Sequence, residues 1–125
     1  MTKYNNLPNG RVVVFSVSDL SMHSSLRLLS YEKIYDNFIE IGIEDVICAG
    51  TIPNNMISGL GLKKISFINP NAEFDYTYAA IVKNGIVERW FIDEYNSDDT
   101  SSAINVFRLF EDYTNIISAW EGSAR

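Results

Sequence analysis

Two side chains dominate any search for chemistry in this sequence, because each is the only one of its kind: His23 and Cys48. His23 stands in Ser18-Asp19-Leu20-Ser21-Met22-His23-Ser24-Ser25. A triad there would need Ser24, Ser25 or a distant serine plus a carboxylate, and the glycine-flanked turn that presents a nucleophilic serine is absent. The residue reads as an exposed or capping histidine. Cys48 lies inside the apolar run Val46-Ile47-Cys48-Ala49, where a thiol behaves as a small hydrophobe and burial suppresses the nucleophilic thiolate. One histidine and one cysteine cannot close a zinc site, and Asp98-Asp99 lacks the spaced carboxylates and glycine of a calcium loop. Gly59-Leu60-Gly61 before Lys63-Lys64 hints at a phosphate cradle but lacks the glycine spacing and hydroxyl of a P-loop. Asp93 and Glu94 point to opposite faces of a strand and make a poor acid–base pair. The expectation is a protein with no catalytic residues, no cofactor and no metal, and not an enzyme.

One constellation survives this filter. Glu88, Trp90, Asp93, Glu94, Tyr95, Asp98 and Asp99 place aromatic rings beside carboxylates on and just beyond one strand, with Asp75 and Tyr76 across from them. Rings supply anchoring contact area and carboxylates steer a basic partner, so these seven residues are the expected partner-binding surface.

The elements that position them centre on Phe74 to Tyr95, where two aromatic and β-branched runs flank Asn84-Gly85. That dipeptide suits a two-residue type I′ turn. It sets Lys83 against Ile86, Val82 against Val87, Ala79 against Trp90 and Tyr78 against Phe91. One face then carries Tyr76, Tyr78, Ala80, Val82, Val87 and Phe91, and the other Ile81, Ile86, Trp90 and Ile92. Upstream, Arg11 to Val17 is an unbroken β-branched run that reads as a central strand covered on both faces. Leu28, Tyr31, Tyr35 and Phe38 recur at helical spacing with Arg27, Glu32, Lys33, Asp36 and Glu40 largely opposite, predicting an amphipathic helix that stops near Ile41 before Gly42. Glu44 to Ala49 reads as a strand, Pro53 to Ile57 as a brief helical turn, and Leu62 to Ile68 as another strand. After Tyr95 a serine- and aspartate-rich loop caps a helix whose stripe is Ala103, Val106, Phe107, Phe110, Tyr113, Ile117 and Trp120. This helix is expected to cover the aromatic face of the hairpin. The sum is a single α+β domain over residues 1–125, with a largely antiparallel sheet, a central hairpin and two main helices packed on it.

Length and a hydrophobic fraction of 46% suffice for one core. The net charge of −6 disfavours direct nucleic-acid binding. Its distribution is uneven, with 7 acidic and 2 basic side chains in residues 91–125. No early segment reads as an export signal and no apolar run spans a bilayer, so a soluble cytoplasmic protein without a membrane partner is expected. Size, acidity, the missing export signal and the lack of motifs make the chain similar in type to immunity proteins of contact-dependent inhibition and related polymorphic toxin systems. That resemblance implies a cytoplasmic antitoxin that neutralises a cognate protein toxin, most concretely a nuclease with a basic active-site surface. The alternatives are a phage anti-defence inhibitor mimicking nucleic-acid charge, and a small-ligand-binding or enzymatic α+β domain with its cavity between sheet and C-terminal helix. The molecule is expected as a monomer or a weak homodimer through Trp90 and Ile92.

Overall fold

The computed structural model describes residues 4, 7–17, 22–69, 77–93 and 100–123, with side chains up to residue 116 in the last helix. Its elements run β1 (Arg11–Ser16), α1 (Met22–Lys33), α2 (Tyr35–Glu40), β2 (Ile43–Ala49), α3 (Asn54–Leu60), β3 (Ser66–Ile68), β4 (Tyr78–Lys83), β5 (Ile86–Ile92) and α4 (Ala103–Ser123).

Five strands form one sheet in the order β3-β2-β1-β4-β5. β1 is central, as its buried Val12-Val13-Val14-Phe15 run predicts. The pairing corrects the expected antiparallel sheet. β1 runs parallel to β2, with Val13 opposite Val46 and Phe15 opposite Cys48, and β2 runs parallel to β3. β4 pairs antiparallel with both β1 and β5, so the sheet is mixed, and the hairpin forms one edge of it instead of its centre. The physical reason lies in the connections. Helices separate β1 from β2 and β2 from β3, and such crossovers favour parallel neighbours whose runs are apolar on both faces.

One face of the sheet packs under all four helices, joining Val13, Phe15, Val46, Cys48, Ala79, Ile81 and Phe91 to Leu28, Tyr31, Phe38, Val106 and Phe110. The opposite face gathers Val12, Val14, Ile47, Tyr78, Ala80 and Val82, with Tyr4, Leu7, Val87 and Trp90 packed against them. The hairpin turn is as expected: Asn84 and Gly85 both take positive φ, Lys83 faces Ile86 and Val82 faces Val87. The register then shifts, so that Ile81 faces Arg89, Ala80 faces Trp90, Ala79 faces Phe91 and Tyr78 faces Ile92. Glu88 is the extra residue. A bulge of this kind moves every later side chain to the other face. Phe91 therefore joins Ala79 and Ile81 under α4, while Trp90 joins Tyr78, and α4 covers the face opposite to the expected one.

Two further boundaries differ from the sequence reading. The first helix is broken at Ile34, which leaves helical angles at φ −102° and ψ 15°. β3 begins at Ser66 instead of Leu62 because the preceding amides are spent elsewhere: Lys63, Lys64 and Ile65 donate to the Glu32 carboxylate at 3.0–3.2 Å. Tyr113, expected inside, is 39% exposed.

Candidate functional site

In open sheets with parallel strands, sites form beyond the strands' carboxyl ends. Here that end is built around a buried cation. Arg27 is only 9% exposed, and its guanidinium lies 5.6 Å from the ring centroids of both Phe15 and Tyr31, which stack on each other at 3.9 Å. Its partners are neutral. Nε donates to the Ser16 carbonyl at 2.8 Å, Nη2 to the Tyr78 carbonyl at 2.7 Å, and Nη1 to the Ser101 carbonyl and hydroxyl at 3.0 Å each. One side chain thus joins the end of β1, the start of β4 and the approach to α4.

The network extends from Ser101. Its carbonyl also accepts the Tyr31 hydroxyl at 2.6 Å, and its amide donates to Asp93 Oδ1 at 2.7 Å. Asp93 is therefore coupled to Arg27 through Ser101 and makes no direct ion pair with it. Ser16 closes the other side, its Oγ accepting the Tyr78 amide at 2.8 Å. Burial among these groups pushes the Tyr31 phenol well above its ordinary range, with Arg27 pulling the other way. Sequence reasoning placed Arg27 on the solvent side of its helix and missed this role. The available signal was spacing: Arg27 stands four residues before Tyr31 and three after Ser24, on the helix face that both bury.

Cys48 sits beside this cluster, as the cross-strand partner of Phe15. It is fully buried, and burial pushes its thiol from an ordinary 9.0 up to about 12, against the smaller pull of Arg27. The sequence reading of Cys48 as a buried thiol with a raised pKa agrees with this. Residues 22–25, which open α1 just past the end of β1, are Met22, His23, Ser24 and Ser25 and include no cysteine. Among the described residues no group of three or more histidine, cysteine or carboxylate side chains could hold a metal ion. The suspected phosphate cradle is already filled, since Glu32 takes the amides of Lys63 to Ile65 and Asp36 holds Lys64 Nζ at 2.7 Å.

Of the seven residues expected to bind a partner, Glu94, Tyr95, Asp98 and Asp99 lie outside the described residues, as do Asp75 and Tyr76. Glu88 is paired with Arg11 at 2.8 Å, Trp90 is half-buried with its ring edge-on to Tyr78 at 5.5 Å, and Asp93 is turned toward Ser101. Among the described residues no helix is long and apolar enough to cross a membrane.

No protein-family model matches the chain. Relatives are found by sequence. Peroxiredoxin y4vD of Sinorhizobium fredii is 30% identical over 118 aligned positions, taking in 74% of this chain and 62% of that protein. A peroxiredoxin of Rhizobium etli is 26% identical, over 74% of this chain and 65% of its own length. The chain thus spans somewhat under two thirds of these relatives. Among solved structures, reduced Prx3 of Vibrio vulnificus in complex with hydrogen peroxide superposes with a TM-score of 0.69 at 18% identity, covering 84% of this chain and 80% of that one. The Plasmodium falciparum antioxidant protein, a 1-Cys peroxiredoxin, gives 0.71 at 21% identity, over 83% and 80%. The fold is accordingly the thioredoxin-like fold of these peroxiredoxins.

These likenesses overturn the functional expectations. The resemblance to toxin-immunity proteins rested on size and charge, which many unrelated chains share, whereas the relatives found by sequence are named peroxiredoxins. The cognate toxin falls with it, and so does the phage anti-defence alternative. The expectation of a non-enzyme is contradicted as well, because peroxiredoxins are enzymes. Of the alternative with a ligand cavity between sheet and last helix, the described residues show only a small pocket of about 100 Å³ lined by Ile81, Glu88, Arg89, Phe110 and Tyr113, below the size range of small-molecule sites. What the likenesses establish is the architecture.

Proposed function

We propose that the chain is a peroxiredoxin-type domain whose substrate is a peroxide. The observation that carries this reading is its 30% identity with a protein named peroxiredoxin across 74% of its length. In thiol-based peroxide reduction a thiolate attacks one peroxide oxygen, the S–O bond forms as the O–O bond breaks, and the departing oxygen leaves as water or an alcohol after taking a proton. The sulfur is left as a sulfenic acid; a second thiol condenses with it to a disulfide and water, and a further thiol reduces that disulfide back to the free thiol. Cys48 is the chain's one cysteine, so this chain's own thiol chemistry rests on it.

Its surroundings set the terms. With the thiol pushed up to about 12, about one molecule in 100,000 is thiolate at pH 7. Full burial also keeps peroxide from the sulfur until the carboxyl end of β2 opens. Turnover through Cys48 is therefore slow, and it rises about tenfold per pH unit below the thiol's pKa. Peroxide consumption with a dithiol reductant, run beside Cys48→Ser and with a dimedone trap for sulfenic acid, tests this. Consumption and trapping that depend on Cys48 and climb with pH are the expected result. Consumption equal in Cys48→Ser, with no trapped sulfur, would refute peroxide reduction by this chain's thiol.

A further inference from the structure

Basic groups also gather along α1 on the cleft side, with Arg27 common to this place and to the network beside Cys48. Between α1 and the first turn of α4 runs an open cleft of about 450 Å³, within the size range of small-molecule sites. Its apolar wall is Leu26, Ile34 and Ile104, and Leu26 and Ile104 are 58% and 51% exposed, leaving large hydrophobic surface open to water. Its polar members are Arg27, Lys33 and His23 on α1, with Ser30 and Ser102 between them. A neighbouring cleft of about 370 Å³ shares Ser102 and Ile104 and adds Arg108. In a chain with 16 acidic and 10 basic residues, no carboxylate lines either cleft among the described residues.

The charge is available. Arg27 is held by carbonyls and a hydroxyl among the described residues and lines the cleft wall, with the Asp93 carboxylate set back behind Ser101. Lys33 is exposed and makes no ion pair with any described residue. His23 to Lys33 covers about 15 Å of helix, room for an extended aliphatic chain of about eight carbons at roughly 1.25 Å per carbon with its head group.

We propose that this cleft is a binding site for a small amphipathic anion, an aliphatic carboxylate whose chain lies on Leu26, Ile34 and Ile104 and whose head group meets Lys33 in the field of Arg27. The assignment is independent of the peroxide reading. Sodium octanoate is the probe, titrated into the isotopically labelled chain and followed by backbone amide shifts. Saturable one-to-one binding is expected, with perturbed amides confined to α1 and the start of α4. Lys33→Glu and Ile104→Asp change exposed side chains and keep the fold, and each should weaken octanoate by about tenfold or more. 1-Octanol, which lacks the charge, should be weaker by a similar factor. Equal affinity of octanol and octanoate, an unaffected Lys33→Glu variant, or perturbed amides elsewhere would overturn the proposal. So would shifts of these same amides with protein concentration alone, which would assign the surface to a second copy of the chain.

Discussion

The two ends of β1 each hold an arginine, and they hold it by opposite means. At the amino end Arg11 meets the carboxylate of Glu88 at 2.8 Å, with the two side chains 30% and 28% exposed. At the carboxyl end Arg27 is nearly water-free, and its bonding partners among the described residues are carbonyls and a hydroxyl. The formal ion pair is the weaker device. In water the attraction of opposite charges is screened and offset by side-chain entropy, whereas in the interior every unmade bond to a polar group costs its full desolvation. Arg27 also serves four acceptors from three parts of the chain, so removing it takes a bond from all of them together.

The largest expected effect follows from that contrast. Arg27→Ala takes a donor from the carbonyls of Ser16, Tyr78 and Ser101, of which Ser101 keeps the Tyr31 hydroxyl and Tyr78 the Ser16 hydroxyl, and opens a void over Phe15 and Tyr31, and should cost about 3–5 kcal/mol in a denaturant titration. Arg27→Met keeps most of the stem and separates packing from hydrogen bonding, with an expected loss of about 2–3 kcal/mol. A loss below about 1 kcal/mol for Arg27→Ala would erase the difference between the two ends.

Next in size is the alkaline limit set by Cys48, which shares the cluster with Arg27. Its folded pKa of about 12 lies above the ordinary 9.0. The native state therefore keeps a proton that the unfolded chain releases above pH 9, and stability falls as pH rises through that window toward 12. Below pH 9 the contribution is fully present. The loss reaches on the order of 4 kcal/mol at the top of the window. Tyr31 and Tyr78 are raised as well and steepen the fall for any variant. The measurement is thus the difference between the parent and Cys48→Ser across pH 8 to 11. Parallel curves would show that the thiol is not desolvated in the native state.

The same contrast explains what was legible in the sequence. The Val12–Phe15 run, the Asn84-Gly85 turn and the Ala103–Phe110 stripe each encode a local period or a steric requirement, and each folds as read. Strand direction was not legible, because an apolar run carries no sign of its partner's orientation; the crossover helices decide it. The face of the hairpin was lost at Glu88, where one unpaired residue inverts all that follows. The start of β3 was lost to a carboxylate from another element, Glu32. The site itself was the least visible. A charged residue on a helix reads as solvated unless its acceptors are known, and the acceptors of Arg27 are 11, 51 and 74 residues away in sequence. The likeness to peroxiredoxins was hidden for a related reason: composition and charge describe a surface, while that likeness resides in aligned positions along the chain.

The smallest expected effect lies at the amino end. Glu88→Gln removes the partner of Arg11 but leaves an amide able to accept from it, so the loss should fall in the range of about 0.2–1 kcal/mol. It should also shrink as salt is raised toward 1 M, where the screening length drops to about 3 Å. Glu88 is in addition the bulge residue, and that second role gives the variant its use. If the carboxylate fixed the bulge through Arg11, Glu88→Gln would release the register of Arg89 to Ile92, shift Trp90 away from Tyr78 and change the near-ultraviolet signal of both rings. The bulge is instead held by what lies beyond it: Phe91 is 2% exposed under α4, and Tyr78 and Trp90 meet edge-on at 5.5 Å. Burial of those rings outweighs one exposed pair several-fold, since each large side chain is worth about 1.5–3 kcal/mol. The expected spectrum is therefore unchanged, and stability and its salt dependence are what move.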